Sequence, residues 1–367
     1  MSTALLTALC SVPTAPFAEH RVTAFVEAFV AKRPRIALSC DAVGNLLLEV
    51  KGTGGPKLPR WVFTAHTDHP GFIAKRMIEP GLLEADFRGY VLPEFFPNAS
   101  VRFFDGGPAD GTVETVANVV DYTVGEDRKV PETVRLRVRR AVSPGSVGMW
   151  DQGGGRVKGG KFYSRVCDDL AGAAAAMAML DQLHRRPAAS TVAVLLTRAE
   201  EDGFIGAIAA SLKPKLLRRS DKIVAIECSA AQPFAPQGEG TIVRVGDRTS
   251  IFDSDLTYFL TQQAEGLKKK DKGFKFQRAL MPGGTCEATV YDAYGFSASS
   301  ICVPLGNYHN MDRAKGRIGP EYIDLADWTS MVKLFIRVAR EGHSHEPGMK
   351  TLKARVEKRF AARKHLL

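Results

Sequence analysis

The chain has 367 residues, of which 45% are apolar and 25% are charged, and it carries a formal net charge of +10. This composition is typical of an ordinary globular protein, and no stretch reaches the roughly 20 apolar residues of a membrane span. Much of the excess positive charge lies in residues 213–219, 268–270 and 350–364, without a nucleic-acid-binding motif, so we expect solvated surface there and no nucleic-acid or membrane partner.

The cysteines and the amino-terminal segment favour a reduced compartment. The six cysteines are scattered without paired spacing, so we interpret them as buried thiols of a cytoplasmic protein and not as a disulfide framework. Cys167 and Cys228 adjoin candidate site residues, which leaves a thiolate ligand as an alternative to core packing. Residues 1–10 lack a basic segment, and Pro13 and Pro16 soon follow, so we expect no secretory signal.

Residues 1–70 predict the start of an α/β domain, because helical periodicity is followed by short apolar runs. The predicted elements are a helix over 17–31 and strands over 46–50 and 60–65. The last of these strands leads directly to His66 and Asp68.

The pattern changes between residues 71 and 160, where β-prone segments alternate with glycine, proline and aspartate. These segments are 87–91, 100–104, 111–116 and 134–138. Several short strands at this spacing predict a small β-barrel or sandwich. We therefore expect residues 71–160 to form a barrel-like domain inserted into a discontinuous catalytic α/β domain, which consists of residues 1–70 and 161–367.

After residue 160, helices and strands alternate. Helices are predicted at 170–184, 205–217, 255–267, 287–294 and 324–341, and strands at 192–196, 222–226, 241–245, 274–280 and 298–303. Such alternation is typical of an α/β fold in which a mixed, mostly parallel sheet lies between helices. Residues 350–365 predict a basic terminal helix or a frayed tail.

Side chains that can bind metals follow several predicted strands. Those placed after a short apolar run are His66 with Asp68, Glu200 with Glu201, Glu227, and His309. Asp168 and Asp169 stand before an alanine-rich helix, where an acidic residue is also a common helix cap. Because open α/β sheets keep their ligand sites beyond the carboxyl ends of the strands, we expect these side chains to converge at one edge.

Two divalent metal ions fit this set of side chains. We assign Asp168 as a bridging ligand, His66 and Glu227 to one ion, and Glu201 and His309 to the other. Nitrogen and oxygen ligands without an essential thiolate suit zinc, with cobalt or manganese as alternatives. Two such ions lower the pKa of the water between them and polarise a carbonyl, which is the chemistry of amide hydrolysis.

Two further carboxylates complete the predicted site. Glu200 binds no metal in this assignment, so we expect it to act as the general base that takes the proton of the attacking water. Asp68 is expected to accept the imidazole N–H of His66 and to fix its tautomer.

The ordered motifs resemble those of the tetrahedral and glutamyl (deblocking) aminopeptidases, a family of co-catalytic di-zinc metallopeptidases. The matching segments are 65–68 with Gly71, 167–169 with Gly172, 200–203 with Gly206, 281–285, and 304–309. The resemblance covers nearly the whole chain and includes the β-rich excursion. Among the departures, Leu170 follows the aspartate pair and Glu227 replaces the more common aspartate, but no ligand is lost.

The resemblance implies a metallo-aminopeptidase that removes amino-terminal residues from peptide substrates. The residues it would use are the metal ligands His66, Asp168, Glu201, Glu227 and His309, the base Glu200, and Asp68 as the support of His66. The resemblance also implies a homo-oligomer, in some relatives a shell of twelve subunits, in which the inserted domain serves as lid and contact surface.

Two alternatives remain open from the sequence. The same metal site would serve a related di-zinc N-acyl amino acid deacylase or carboxypeptidase, which acts on a different end of its substrate. A catalytically silent relative could act as a binding protein, although the presence of Glu200 and of all five ligands argues against it.

Overall fold

The computed structural model describes residues 3–106, 113–126, 129–346 and 348–367. Within these ranges, the helices are α1 (Ala4–Leu9), α2 (His20–Ala31), α3 (Leu170–Arg185), α4 (Ile205–Leu212), α5 (Ser254–Lys270), α6 (Glu287–Ala293), α7 (Leu325–Glu341) and α8 (Gly348–Arg363). Short 3-10 helices cover Pro93–Phe95, Tyr308–Asn310, Gly342–Ser344 and Lys364–Leu366. The strands are β1 (Ala37–Cys40), β2 (Leu46–Val50), β3 (Trp61–His66), β4 (Gly71–Glu79), β5 (Leu82–Arg88), β6 (Ser100–Asp105), β7 (Val113–Val124), β8 (Pro131–Val138), β9 (Val147–Trp150), β10 (Arg156–Lys158), β11 (Lys161–Ser164), β12 (Val192–Thr197), β13 (Lys222–Ala230), β14 (Thr241–Gly246), β15 (Phe276–Leu280), β16 (Ser297–Gly306), β17 (Met311–Asp312), β18 (Arg317–Ile318) and β19 (Glu321–Asp324).

A large mixed sheet forms the centre of the α/β part. In the described part of the chain it has 11 strands, in the order β1-β2-β12-β3-β13-β16-β19-β11-β10, with β14 beside β16 and β15 beside β14. The central strands β12, β3, β13 and β16 run parallel to one another. Towards both edges the pairs are antiparallel. The sheet is therefore mixed, as predicted, and its parallel part is the centre.

Helices cover both faces of this sheet, as the sequence predicted. In β12 every residue is buried, and alternate side chains belong to different cores. Val194 and Leu196 pack in the core that contains α3, α5 and α7. Ala193 and Leu195 pack in the core that contains α4 and α6. Burial on both faces explains why the sequence of β12 is apolar throughout.

Helix α3 packs closely against the sheet because its side chains are small. A Cβ atom at Gly172 would lie 2.5 Å from Cγ2 of Ile226 in β13, so only glycine fits there. Residues 171–176 are fully buried, which is the environment expected for this alanine-rich segment. The close packing fixes the start of α3, and with it Asp168, against the central strands.

A closed barrel follows the first part of the chain, with the strand order β4-β5-β8-β7-β6-β9. Its core is aromatic: the ring centroids of Phe72 and Trp150 lie 4.8 Å apart, edge to face. The predicted β-barrel is confirmed as an architecture. Its last strand ends at Trp150, and β10 already belongs to the large sheet.

Some predicted elements have other bounds in the structure. The helix predicted over 205–217 ends at Leu212, because Pro214 cannot continue it. The strand predicted over 87–91 ends at Arg88, where Gly89 adopts a φ of +103°. Residues 111 and 112 of the segment predicted over 111–116 lie outside the described residues.

The carboxyl-terminal residues form α8, which carries the exposed apolar side chains Val356 and Phe360 among basic residues. Across the described ranges, no helix is both long enough and apolar enough to traverse a lipid bilayer.

Candidate metal centre

The five predicted ligands meet at one edge of the central sheet. His66 is the last residue of β3, Glu227 lies in β13, Glu201 and His309 follow β12 and β16, and Asp168 precedes α3. All five are at most 9% exposed. The parallel arrangement of these strands explains the convergence, because their carboxyl ends meet at the same edge.

Asp168 lies between the two histidines. Its Oδ1 is 3.4 Å from Nε2 of His66, and its Oδ2 is 3.9 Å from Nε2 of His309. Glu201 stands on the His309 side, with Oε1 at 3.1 Å from the same Nε2. One carboxylate therefore faces two imidazoles with different oxygens, which is an arrangement suited to a bridging ligand.

A further glutamate, Glu227, stands on the His66 side. Ligand atoms of His66, Glu200 and Glu227 lie within 4.8 Å of one another, as do those of His66, Asp168 and Glu201. Glu200 Oε2 is 4.0 Å from His66 Nε2. Glu200 thus reaches the same space as the ligands, and the adjacent carboxylates of Glu200 and Glu201 both point into the site.

Burial makes this cluster of carboxylates electrostatically unfavourable without a cation. Burial, reinforced by the charge of Asp168, raises the pKa of Glu227 to about 8. Burial and the neighbouring carboxylates also raise the pKa of Glu200 well above its ordinary value, against the opposing effect of His66. For Asp168, burial is outweighed by the adjacent imidazoles, first that of His66 and then that of His309, and its pKa is lowered.

The donor set fits divalent cations. Oδ1 of Asp168 is buried and has no hydrogen-bond partner among the described residues. Buried polar atoms of this kind are normally satisfied, so the atom has capacity for a ligand. Imidazole nitrogens and carboxylate oxygens are ligands for zinc, cobalt and manganese.

The neighbouring groups Asp169 and Cys228 have other partners. The thiol of Cys228 lies 3.4 Å from Oδ1 of Asp169 and 3.4 Å from the carbonyl oxygen of Cys167. Burial raises the thiol pKa of Cys228 well above its ordinary value, so this residue remains a neutral thiol. Asp169 precedes α3 without a side-chain capping hydrogen bond, and its peptide bond to Asp168 is cis.

Asp68 has a different contact from the one expected. Its carboxylate oxygens accept the backbone N–H groups of Glu200 at 3.0 Å and Glu201 at 3.1 Å. Nδ1 of His66 lies 3.2 Å from the backbone oxygen of Asp68 and 3.7 Å from its Oδ1. The nearer support of the imidazole is therefore a carbonyl, and the carboxylate orients the backbone of the acidic pair.

Two buried residues that the sequence did not single out position the ligands. Glu321 accepts the N–H groups of Cys167 and Asp168 with Oε2, at 2.6 and 3.1 Å. His69 places Nδ1 at 2.8 Å from the carbonyl oxygen of Asp168 and Nε2 at 2.9 Å from Oδ1 of Asn310. His69 and Asn310 lie directly beside the matching motifs, whereas no local pattern marks Glu321.

His309 is also oriented by the barrel. Its backbone adopts a left-handed φ of 52°, and its Nδ1 lies 2.6 Å from the carbonyl oxygen of Tyr90, which follows β5. This contact leaves Nε2 directed toward Asp168 and Glu201. A backbone atom beside the barrel thereby fixes a side chain of the candidate centre.

A cavity of about 510 Å³ opens beside Glu227. Its lining includes Arg244, Arg248, Arg313, Tyr90 and Gly284. Arg244 is 2% exposed, and its Nε has no hydrogen-bond partner among the described residues. A signal for Arg244 was present in the sequence, since it is the one charged residue of the apolar run 241–245.

Comparisons with solved structures identify the fold. An aminopeptidase from the archaeon Desulfurococcus kamchatkensis is 21% identical with a TM-score of 0.74, over 92% of this chain and 94% of that chain. The Pyrococcus horikoshii TET1 peptidase, which can assemble into a tetrahedron or a large octahedral shell, is 20% identical with a TM-score of 0.72, over 92% and 98%. A Thermotoga maritima protein titled an endoglucanase is 18% identical with a TM-score of 0.66, over 92% and 97%.

Comparison with protein families identifies the relationship. No curated protein matches the chain significantly. Residues 44–317 match the profile of the M42 glutamyl aminopeptidase family, and this range contains all five predicted ligands and Glu200. The chain therefore belongs to the M42 glutamyl aminopeptidase family, a family of metal-dependent peptidases.

Proposed function

We propose that this protein is a two-metal aminopeptidase that removes the amino-terminal residue from peptides. The observation that carries the proposal is the position of Asp168, whose two oxygens face His66 and His309. The family assignment supports the same reaction.

Each proposed metal position combines one histidine with one glutamate. His66 and Glu227 would hold one ion, His309 and Glu201 the other, and Asp168 would bridge them. Three carboxylates then balance most of the four positive charges, and the cations would offset the burial and the repulsion by Asp168 that raise the pKa of Glu227. Zinc is the proposed metal, with cobalt or manganese as alternatives. When bound, the two ions would lower the pKa of the attacking water and polarise the scissile carbonyl.

Glu200 is the proposed general base. It is the one member of the acidic pair that the bridging scheme leaves without a metal, and its carboxylate lies at the same edge as the ligands. It would take the proton of the attacking water and deliver it to the departing amine. Asp68 would hold the backbone of the acidic pair, since its oxygens accept both amides.

The cavity beside Glu227 supports a preference for an acidic amino-terminal residue. Arg244 is 2% exposed; the carboxylates of Glu227 and Asp247 attract its charge, but its Nε has no hydrogen-bond partner among the described residues. The side-chain carboxylate of a substrate residue would supply that hydrogen-bond partner, with Arg248 and Arg313 on the exposed part of the lining. Substrate glutamate or aspartate is therefore the proposed residue at the cleaved end.

The same cationic cavity gives a specific reason to test a second function. A guanidinium also binds the terminal carboxylate of a carboxypeptidase substrate or of an N-acyl amino acid. The two functions differ in the end of the substrate that must be free: the amino terminus for an aminopeptidase, and the carboxyl terminus for a carboxypeptidase or an N-acyl amino acid deacylase.

We also propose that the chain forms a homo-oligomer. Solved relatives of this fold form a dodecamer or a tetrahedral or octahedral shell. The exposed side chains Val113, Val116, Val120 and Val124 of β7 would supply apolar contact surface on the barrel. The molar mass in solution, measured by light scattering, tests this: a monomeric mass at micromolar concentration contradicts it.

A peptide panel tests the proposed function. The panel compares free and acetylated amino termini, free and amidated carboxyl termini, and glutamate, leucine or lysine as first residue, with protein stripped by chelator and reloaded with zinc, cobalt or manganese. We expect release of the first residue from free-amine peptides only, fastest for glutamate or aspartate, lost on stripping and restored by metal. Cleavage that requires a free carboxyl terminus, or an acylated amine, would instead establish the second function.

A further inference from the structure

Three consecutive backbone amides that lead into the acidic pair are held by buried carboxylates. The N–H of Ala199 donates to Oε1 of Glu19 at 2.9 Å. The next two amides, of Glu200 and Glu201, donate to Oδ1 and Oδ2 of Asp68 at 3.0 and 3.1 Å. Asp68 belongs to the site already described, whereas Glu19 precedes α2 and lies outside the residues matched to the family profile.

Both oxygens of Glu19 act on the two residues before Glu200. Oε2 accepts Nε of Arg198 at 2.8 Å and lies 2.7 Å from its Nη2. Oε1 accepts the N–H of Ala199 and also the N–H of Phe17 at 3.0 Å. Glu19 is 1% exposed, so these contacts are made away from water, where charge-assisted hydrogen bonds are strong.

The segment that Glu19 holds has an unfavourable backbone conformation. Ala199 has a φ of 49°, in the left-handed region where a Cβ atom crowds the following carbonyl oxygen. Such a conformation persists only where the surrounding structure over-determines it. On the far side of the turn, the N–H groups of Gly206 and Ile205 bond to the carbonyls of Arg198 and Ala199 at 2.8 and 3.1 Å. Among the described residues, the acceptor for the N–H of Ala199 itself is Glu19.

We infer that Glu19 is a positioning residue for Glu200. By fixing Arg198 and Ala199, it sets the direction in which the chain delivers the Glu200 side chain to the metal edge. The inference rests on the proposed function, because Glu200 is assigned there as the base. Glu19 would thus give the amino-terminal segment a role in the reaction, although Glu19 is neither a proposed metal ligand nor a proposed substrate contact.

The first test is Glu19→Ala, which removes both acceptors. Because small displacements of a catalytic group cost up to about a hundredfold in rate, we expect kcat to fall between about tenfold and about a hundredfold. The KM and the content of zinc per chain should stay unchanged, since no ligand is altered. Glu19→Gln keeps one acceptor for the N–H of Ala199, so its kcat should fall less than that of Glu19→Ala. It also serves as the folded variant if Glu19→Ala does not fold. Glu27→Gln, at an exposed glutamate of the following helix α2, is the matched control.

A double-mutant cycle separates positioning from a general structural effect. If Glu19 acts through Glu200, then Glu19→Ala should change the residual turnover of Glu200→Gln by less than about twofold. An equal loss in both backgrounds overturns the inference, because Glu19 would then stabilise the site as a whole. Wild-type turnover of Glu19→Ala, with Glu200→Gln inactive, overturns this inference alone. Wild-type turnover of Glu200→Gln overturns the proposed base and this inference together.

Discussion

Oε1 of Glu321 accepts the backbone N–H of His309 at 2.9 Å. The other oxygen of the same carboxylate accepts the N–H groups of Cys167 and Asp168. A single side chain, 0% exposed, therefore links Asp168, the proposed bridging ligand, to a histidine from a distant part of the chain. Without this acceptor, three buried amides would lose their hydrogen bonds at once, which is unfavourable for each of them.

Replacing Glu321 should weaken metal binding although Glu321 is not a proposed ligand. Residues that orient ligands typically contribute about 10- to 100-fold to metal affinity, and we expect a loss in that range for Glu321→Gln. Competition with a chromogenic chelator measures the change. Glu239→Gln, at an exposed ion pair with Lys275, should have no effect. Unaltered affinity in Glu321→Gln would show that the ligands are held by packing alone.

Glu200→Gln should retain both metal ions and lose hydrolysis. The substitution keeps the size of the side chain but removes the group proposed to accept the proton, which typically costs about 10²–10⁴ in rate. Metal content and turnover are measured on the same preparation. Retained metal with unchanged turnover would mean that another group is the base, whereas lost metal would mean that Glu200 is a ligand.

His309→Ala should lower metal occupancy at one of the two positions. The imidazole lies 3.1 Å from Glu201 and faces Asp168, so its removal would leave the proposed second ion with carboxylates only. Elemental analysis after dialysis should give close to one ion per chain. The control is His343→Ala, an exposed histidine outside the site. Two ions per chain in His309→Ala would show that the assigned ligand set is wrong.

Arg244→Met should remove the preference for acidic first residues. The change replaces a buried guanidinium by an apolar side chain, so a substrate carboxylate would enter the cavity without a partner. Loss of one member of a buried charge pair typically costs about 2–5 kcal/mol, and we expect kcat/KM for glutamyl peptides to fall by about two orders of magnitude.

Leucyl peptides provide the internal comparison for Arg244→Met, since their cleavage should fall little or rise. Arg317→Met, at an exposed arginine that does not line this cavity, controls for the loss of one positive charge. An equal loss of kcat/KM for glutamyl and leucyl peptides would show that Arg244 has a structural role and does not select the substrate.

Removal of metal should make the stability of the fold depend on pH between about 4.5 and 8. Burial, and then the charge of Asp168, raise the pKa of Glu227 from 4.5 to about 8 in the folded chain. The folded state therefore binds a proton more tightly than the unfolded state, and the free energy of unfolding falls as the pH rises through this window.

Urea titrations at several pH values measure this effect in chelator-treated protein. Reloading with zinc should raise the midpoint and flatten the pH dependence, because binding to the folded state alone adds about 2.7 kcal/mol at a metal concentration of 100 times Kd. A stripped protein whose stability is constant over this range would contradict the electrostatic account of the site.

Most of the fold could be predicted from the sequence because the elements around the candidate metal centre have simple patterns of apolar and helix-forming residues. The strand β12 and residues 223–226 of β13 are apolar and buried, and α3 is rich in alanine and other helix-forming residues. Elements without such a pattern were missed. Strand β4 carries Lys75 and Arg76 on exposed positions, and α1 has only 6 residues, too few to show a period.

The candidate site likewise contains residues that could be predicted from the sequence and residues that could not. Its proposed ligands could be recognised because each follows a short apolar run of the sequence or precedes a helix, so the local sequence predicts that they lie at one edge. Glu19 and Glu321 act on backbone amides far away in the chain, and no local pattern reports such a contact. Asp68 was singled out, but its carboxylate binds backbone amides, which sequence spacing alone does not indicate.

The carbonyl of Tyr90 ties His309 to the barrel, and this limits how the two parts of the molecule could be exchanged. A chain shortened by joining β3 directly to β10 would retain every proposed ligand, yet His309 would lose the acceptor that orients its ring. Recombination between relatives would have to transfer the barrel together with the segment around His309. A barrel grafted from another scaffold would therefore need a loop after β5 that places a carbonyl oxygen within hydrogen-bond distance of Nδ1 of His309.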